Sequence, residues 1–438
     1  MLKTLQNAFK VKDVRHRIFY VLMMLVVIRI GSQLPVPGVD GSYFKTWFES
    51  QTGDAFNFLD AFTGGSFSQM SIFALSITPY ITSSIIIQLL TIAIPKLEEM
   101  QRDGEDGRKK LGAITRYVTI GLSLFESIAM AIGFGNKGLI PDNSFVKMVV
   151  VVVALTAGSA FLMWVGEQIN EKGVGNGISI VLLINIVSRI PSDMTTLYES
   201  FMKGKIIAKA LLSGVIIAAI IVGVVILVII LNGAERRIPV QYSKKMQGRK
   251  MMGGQSSHIP LKVNTAGVIP VIFASSIMSF PSVIASFLGK TGGTGIGGKI
   301  LAGMNSNNWF DLEHPWYSIG LVAYIVMVIF FAYFYTSITF NPLEVADNMK
   351  KQGGFIPGIR PGKPTVEYLT KILNYIIFVG ACGLVLIQLV PIIFNGWLGA
   401  SVSFGGTSLI IIVSVILETL KQIESQMLVR NYKGFLNK

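Results

Sequence analysis

The sequence predicts an all-α polytopic membrane protein: ten transmembrane helices in two pseudo-symmetric, inverted halves of five. Three observations lead there. Apolar residues make up 51% of the 438-residue chain and charged residues only 14%, against roughly 25% charged in soluble proteins. The apolar residues gather into runs of about 20, the length that spans a hydrocarbon core of ~30 Å. Lysine and arginine alternate between rich and poor loops, as the positive-inside rule requires.

The runs lie near 18–34, 71–94, 115–134, 147–166, 176–190, 211–232, 264–288, 317–338, 368–394 and 407–427. The run at 211–232 is unbroken, and the one at 176–190 is short and weak on its own. Charge supports it. Ten spans put both termini on one side, and with that side cytoplasmic about three quarters of the 38 Lys and Arg fall in inside segments. Removing the fifth span would move the basic loop 233–262 outside and abolish the bias.

The expected organisation is a cytoplasmic N-terminus at 1–17, a first half at 18–192, a second half at 193–427 and a cytoplasmic tail at 428–438. The second half carries cytoplasmic loops at about 233–262 and 340–367. A half with an odd number of spans, repeated once, must be inverted, as in many conduits and transporters. No convincing sequence similarity links the halves, so that argument is topological. Basic residues before an apolar stretch resemble the start of a signal peptide. Only Leu34-Pro35-Val36-Pro37-Gly38 follows, with no small-residue cleavage site, so the first span is expected to be retained.

Several chemistries are unsupported. The single cysteine, Cys382, allows no intrachain disulfide and no thiolate metal site. His16, His258 and His314 fall in predicted loops. No serine–histidine–acid set or carboxylate pair lies at membrane depth, which argues against an intramembrane hydrolase. No catalytic residue, metal or cofactor is expected. Gly293–Lys299 imitates a phosphate loop, but Ile300 stands where Ser or Thr is required. Gly173-Val-Gly-Asn-Gly177 is better read as the opening of the fifth helix than as a phosphate cradle.

Other segments need an explanation. Residues 55–70 are too polar and Gly-rich to span, yet too apolar for a solvated loop. They are either an external amphipathic segment at the interface or a re-entrant piece, which is tolerated only where protein or a water-filled cavity receives it. In the second span Ile81, Ile85 and Gln88 share a helix face, beside a strip of Thr78, Thr82 and Ser83. Small hydroxyls in a membrane helix usually mark close helix packing. Asn264, Thr265, Ser275, Ser276 and Ser279 repeat that style around Ile272.

Glu126 is a costly intramembrane charge that needs a partner or water; with no second ionisable group at depth, structural pairing is favoured over a proton relay. Arg29 lies toward the outer end of its span, where it can snorkel. The two large inside loops, with Arg236, Arg237, Lys244, Lys245, Arg249 and Lys250 in one and Arg360 in the other, exceed ordinary connection lengths. Topology explains most of their charge, and their Pro-Gly turns and alternating patterns read as ordered docking surfaces. Their polybasic tips suit an acidic or phosphate-rich partner.

Five stretches then resemble the bacterial SecY family. They are GEQINEKGVGNGISI, RRIPVQYSKKMQGRK, the run from Pro260 to Ser276, NPLEVADNMKKQGGFIPGIRPG, and Phe404-Gly-Gly-Thr-Ser408. The resemblance runs in order, essentially end to end. It implies a protein-conducting channel of two five-helix halves with an hourglass pore and a short external plug helix. The channel also opens sideways between the second and seventh spans. By motif match the pore ring falls on Ile81, Ile85, Leu182, Ile186, Ile272 and Ile411, with the two fifth-span positions the least certain.

The plug falls on Phe62, Thr63, Gly64, Gly65, Ser66, Phe67 and Ser68, and the polar cluster of the lateral gate on Thr82, Gln88, Glu126 and Asn264. The implied partners are SecE and SecG subunits, the SecA ATPase, the ribosome, signal sequences, unfolded preproteins and the lipid bilayer. Arg360 matches a functionally critical docking arginine. The implied location is the bacterial plasma (inner) membrane, with a thylakoid membrane as the alternative. Two other classes stay open: a secondary transporter with a midplane solute site, and a non-transporting membrane scaffold.

Overall fold

The computed structural model describes residues 8–41, 43–44, 46, 60, 63–135, 144–201, 203, 207–242, 245–247, 250–252, 256–287, 296–305, 308–309, 315–398 and 406–436. Among them the helices are α1 (Lys12–Gly31), α2 (Thr78–Ala93), α3 (Pro95–Arg102), α4 (Glu105–Gly135), α5 (Phe145–Lys172), α6 (Gly177–Phe201) and α7 (Ile207–Gly233). Strands β1 (Glu235–Tyr242), β2 (Lys245–Gln247), β3 (Lys250–Met252) and β4 (Ser256–Lys262) come next, then α8 (Ile269–Phe287), α9 (Ile296–Met304), α10 (Ser318–Thr339) and α11 (Pro342–Lys351). Strand β5 (Gly354–Phe355), α12 (Lys363–Leu398) and α13 (Gly406–Leu436) complete the order.

A helix lies over each of the ten apolar runs. Among the described residues, six helical stretches are long and apolar enough by themselves to cross a membrane, and a seventh counts if α2 and α3 are taken together across a 108° bend. The chain forms two compact units, Met1–Thr196 with Ser282–Gly293 and Val415–Lys438, and Leu197–Pro281 with Thr294–Ser414.

In the first unit the second span is shorter than expected. Residues 71–77 are turns, and α2 begins only at Thr78, with Pro79 in its first turn. Ser76 sits at φ 52, a left-handed conformation that no helix accommodates. At the other end Ile94 is extended because Pro95 excludes the helical region for the residue before it, and the chain bends into α3. The predicted inside loop 95–116 is therefore mostly helical, holding α3 and the first turns of α4. The fifth span is longer than its apolar run: α6 continues through Pro191 to Phe201, carrying Ser188, Arg189 and Asp193. Those polar residues hid it from hydropathy.

Small hydroxyls set the packing of α2, α4 and α5. Thr115, Thr119, Ser123 and Ser127 recur every fourth residue on α4 and are all buried. Ser83 Oγ of α2 donates to the Thr115 carbonyl at 3.0 Å, and Thr156 Oγ1 of α5 donates to Ser127 Oγ at 3.1 Å. Side chains this small let the helix backbones approach closely, which is the favourable term available where lipid is as apolar as leucine. An apolar core of Val36, Phe44, Phe67, Met70, Leu75, Met130, Phe134 and Leu155 forms within the unit. Phe44 and Phe134 meet edge-to-face there at 4.9 Å.

In the second unit α7 is the most apolar helix, with mean hydropathy 3.5. Leu211, Leu212, Val215, Ile216, Val222, Ile226 and Ile230 remain exposed along it, as a lipid-facing surface would be. The two inside loops, read from sequence as separate, join in one antiparallel sheet of order β4-β1-β5. Ile238 pairs with Ile259 and Gln241 with Phe355. Ile238 and Val240 alternate with exposed neighbours and pack on Leu261, Ala346, Met349, Ile356 and Leu369. Helix α11 starts cleanly because Asn341 Oδ1 accepts the Leu343 N–H at 3.1 Å, with Pro342 in the first turn.

Candidate functional site

The plug-matching segment is folded against a spanning helix of its own unit. Of its residues, Phe62 lies outside the described residues. Asp60 and residues 63–70 form a compact chain reversal that the sequence allows because Gly64 and Gly65 take φ 68 and 84. Asp60 organises it: its carboxylate accepts the Ser68 N–H at 2.8 Å, and its carbonyl accepts the Gly65 N–H at 3.2 Å. Thr63 Oγ1 accepts the Phe67 N–H at 3.1 Å. Phe67 inserts into the aromatic core beside Phe44 and Phe134.

One face of α6 receives this reversal. Asn185, Ser188 and Arg189 stand at i, i+3 and i+4, so their side chains share that face. Asn185 Nδ2 donates to Ser76 Oγ at 3.0 Å, Ser188 Oγ donates to the Gly64 carbonyl at 3.3 Å, and Arg189 forms an ion pair with Asp60. A Cβ on Gly64 would lie 2.7 Å from the Asn185 carbonyl oxygen, so glycine is needed for this approach. Asp60 is only 3% exposed. Burial pushes its carboxyl up, while the Arg189 guanidinium and the Ser68 N–H pull it down. The Ser66 Oγ of the reversal and the Ser71 Oγ just after it are buried without a partner among the described residues.

Asp60, Asn185, Ser188 and Arg189 were not singled out from the sequence. The available signal was the lone acid inside an apolar NFLDAF stretch and a charge at the end of the weak fifth span. Arg29 does not simply snorkel: its Nη1 donates to the Gly64 carbonyl at 3.4 Å.

The ring-matching residues are distributed between the units. Ile81 and Ile85 lie one turn apart on α2 and are half-buried, and Leu182 and Ile186 lie one turn apart on α6 and are buried. These four belong to the first unit, while Ile272 on α8 and Ile411 on α13 belong to the second. Of the gate-matching residues, Thr82 Oγ1 donates to the Thr78 carbonyl at 3.1 Å and Gln88 Nε2 donates to Ser84 Oγ at 3.4 Å, both within α2. Glu126 on α4 makes no hydrogen bond or ion pair among the described residues. Asn264 donates to Asn232 Oδ1 at 2.9 Å, and Asn232 donates to Ser414 Oγ at 2.8 Å, a polar chain joining α7, the turn before α8, and α13.

On the sheet, Arg236 and Arg237 are exposed on β1, and Arg237 pairs with Glu235 at 2.7 Å. Lys245 and Lys250 lie in the short hairpin β2–β3, opposite Met252 and Gln247; Lys244 and Arg249 fall outside the described residues. Arg360 is exposed in the turn between β5 and α12, between Gly358 at φ 81 and Gly362 at φ 103. Its carbonyl accepts Thr365 Oγ1 at 2.9 Å, which ties the turn to α12. The described residues hold no cluster of metal-ligating side chains. The Gly173–Gly177 stretch has its amides engaged by protein: Gly175 N–H donates to Gln422 and Gly177 N–H donates to Asn170 Oδ1 at 2.7 Å, which leaves those two none for phosphate.

The SecY family model matches residues 71–420. Protein translocase subunit SecY of Halalkalibacterium halodurans is 44% identical over 443 residues, and that of Bacillus subtilis 45% identical over 449, each across the whole of both chains. Among solved structures, a protein-conducting channel superposes with a TM-score of 0.62 at 18% identity, covering 94% of this chain and 92% of that one. The channel of a canine ribosome-channel complex from the endoplasmic reticulum superposes with a TM-score of 0.60 at 17% identity, with the same coverage. Those likenesses carry the all-α polytopic fold. On full-length identity, family match and fold together, the chain belongs to the SecY family.

Proposed function

We propose that this SecY-family chain conducts unfolded secretory proteins across the bacterial plasma membrane and releases their apolar segments sideways into lipid. Membership of the family makes the chain a protein-translocation channel and not an enzyme. The energy comes from partners, a SecA-type ATPase or a translating ribosome docked on the cytoplasmic face, with SecE and SecG as accessory subunits and both termini cytoplasmic.

One observation carries the reading: Asp60 and residues 63–70 are a largely buried polar reversal seated on α6 rather than a solvated loop. A Gly-rich segment tolerated at depth needs a protein or aqueous cavity to receive it, which is what a plug in a channel mouth requires. Ile81, Ile85, Leu182, Ile186, Ile272 and Ile411 form the constriction. Branched apolar side chains gate by dewetting and make no sequence-specific hydrogen bonds, which suits a substrate of arbitrary sequence. A signal sequence of about 7–15 apolar residues leaves through a seam lined by Thr82, Gln88, Glu126 and Asn264. That gate opens at small cost, because membrane side-chain hydrogen bonds average about 0.6 kcal/mol. Arg236 and Arg237 present charge to the docking partner from β1, and Arg360 from the turn between β5 and α12.

In support, one solved SecY relative is described by a plug domain that stabilises the closed state, and another is a ribosome-bound channel. Reconstitution with the motor ATPase and a precursor bearing a signal sequence tests the proposal. ATP-dependent protection of the precursor inside vesicles is expected; solute uptake without protection refutes it.

A further inference from the structure

We infer that Asp60 and Arg189 are a charge latch that sets the closing energy of the channel by holding the 60–70 reversal on α6. The inference rests on the channel reading. It arises from two charged groups that neither the constriction nor the docking surface uses, 129 residues apart in the chain. Asp60 has two separable roles. Through its carbonyl and the Oδ1 that accepts Ser68 N–H it folds the reversal on itself. Through Oδ2 it meets Arg189 and fixes the folded reversal to α6.

Both side chains are largely shielded from water, with the carboxylate side chain 4% and the guanidinium side chain 19% exposed. Removing one member of such a pair is costly because the other charge is left buried and unpaired. Displacing the reversal separates the charges in the same way, so the pair favours the seated state. The other polar contacts between the reversal and its surroundings are weaker: Ser188 Oγ to the Gly64 carbonyl at 3.3 Å, Arg29 Nη1 at 3.4 Å from the same carbonyl, and a buried Ser66 hydroxyl with no partner among the described residues. A seat mostly built of weak bonds, with one strong one, places control of opening on that one.

The roles separate by substitution. Asp60→Asn keeps an oxygen for Ser68 N–H and loses only the ion pair; Arg189→Gln does the same from the other side; Arg189→Lys retains the charge. In proteoliposomes containing the full chain and its partner subunits, two quantities are measured: resting ion flux without precursor, and ATP-driven import of precursors with intact and weakened signal sequences. D60N and R189Q are expected to raise resting flux by about tenfold, the change that about 1.4 kcal/mol produces. They should also narrow the preference for the intact signal, since less binding energy then suffices to open. R189K is expected to restore most of the seal, and the swap D60R/R189D to fall well below either single variant in flux. If D60N and R189Q stay as tight and as selective as the parent, or R189K leaks as R189Q does, the latch is wrong. If the parent seals but imports no precursor, the channel reading itself fails. Should the swap fail to accumulate in the membrane, the comparison of D60N, R189Q and R189K decides alone.

Discussion

Gly64→Ala tests whether the seat of the 60–70 reversal is a close steric fit. Gly64 lies at φ 68, where a side chain costs about 1 kcal/mol. Its new Cβ would lie 2.7 Å from both the Cα and the carbonyl oxygen of Asn185 and 2.9 Å from Ser188 Oγ. The first two are backbone atoms of α6, so no rotamer change relieves them, and overpacking adds about 1–3 kcal/mol. The reversal is thus disfavoured on α6 by about 3 kcal/mol, which shifts the seated-to-unseated ratio by roughly a hundredfold.

Gly65 supplies the internal control. It lies at φ 84 with open space around its Cβ position, so Gly65→Ala carries only the backbone term, about 1 kcal/mol or roughly fivefold. Ion flux through reconstituted resting channels reads both substitutions, with membrane abundance confirming that each protein is intact. A large leak from Gly64→Ala and a small one from Gly65→Ala is expected. Equal leaks, or a tight Gly64→Ala channel, would refute a seat built on close approach to α6.

Other outcomes follow from the same geometry. Replacing Ile81 and Ile272 with Gly should raise ion leakage, and a tight membrane would remove those residues from the constriction. Deleting 61–70 should give a transiently leaky channel rather than an unfolded one, read by single-channel recording alongside membrane abundance. Arg360→Glu should impair motor-driven translocation while the channel inserts normally, because the side chain is exposed and only its backbone is tied to α12; unchanged translocation removes the role. Ile238→Ala, at the buried centre of β1, should cost the β4-β1-β5 sheet about 2–5 kcal/mol. Limited proteolysis should then cut near 233–262 and spare the membrane helices, and a protected loop would contradict the packing described.

Some of the candidate site was legible in the chain itself. Ser83 and the hydroxyls around it announced close helix packing, and Ser83 does bond the α4 backbone. The oddness of 55–70 was visible as composition, since a Gly-rich, half-apolar segment fits neither lipid nor water. Its chemistry was not visible. Arg189 looked like one more outside charge and Arg29 like a snorkelling one, because burial of a charge depends on what packs over it. The end of the fifth span was also hidden, since the apolar run stops at 190 while the helix continues through Pro191.

By itself the sequence determined the helical, membrane-spanning class and the position of each apolar run. Those properties are local: lipid demands apolar length and internally satisfied backbone, and both are written residue by residue. Tertiary structure decided which distant polar groups meet. It joined loops more than a hundred residues apart into the β4-β1-β5 sheet, brought Asn232 between Asn264 and Ser414, and set Arg189 against Asp60. Such encounters depend on helix rotation and strand register, which hydrophobic periodicity narrows to a face without naming the residue that the face will meet.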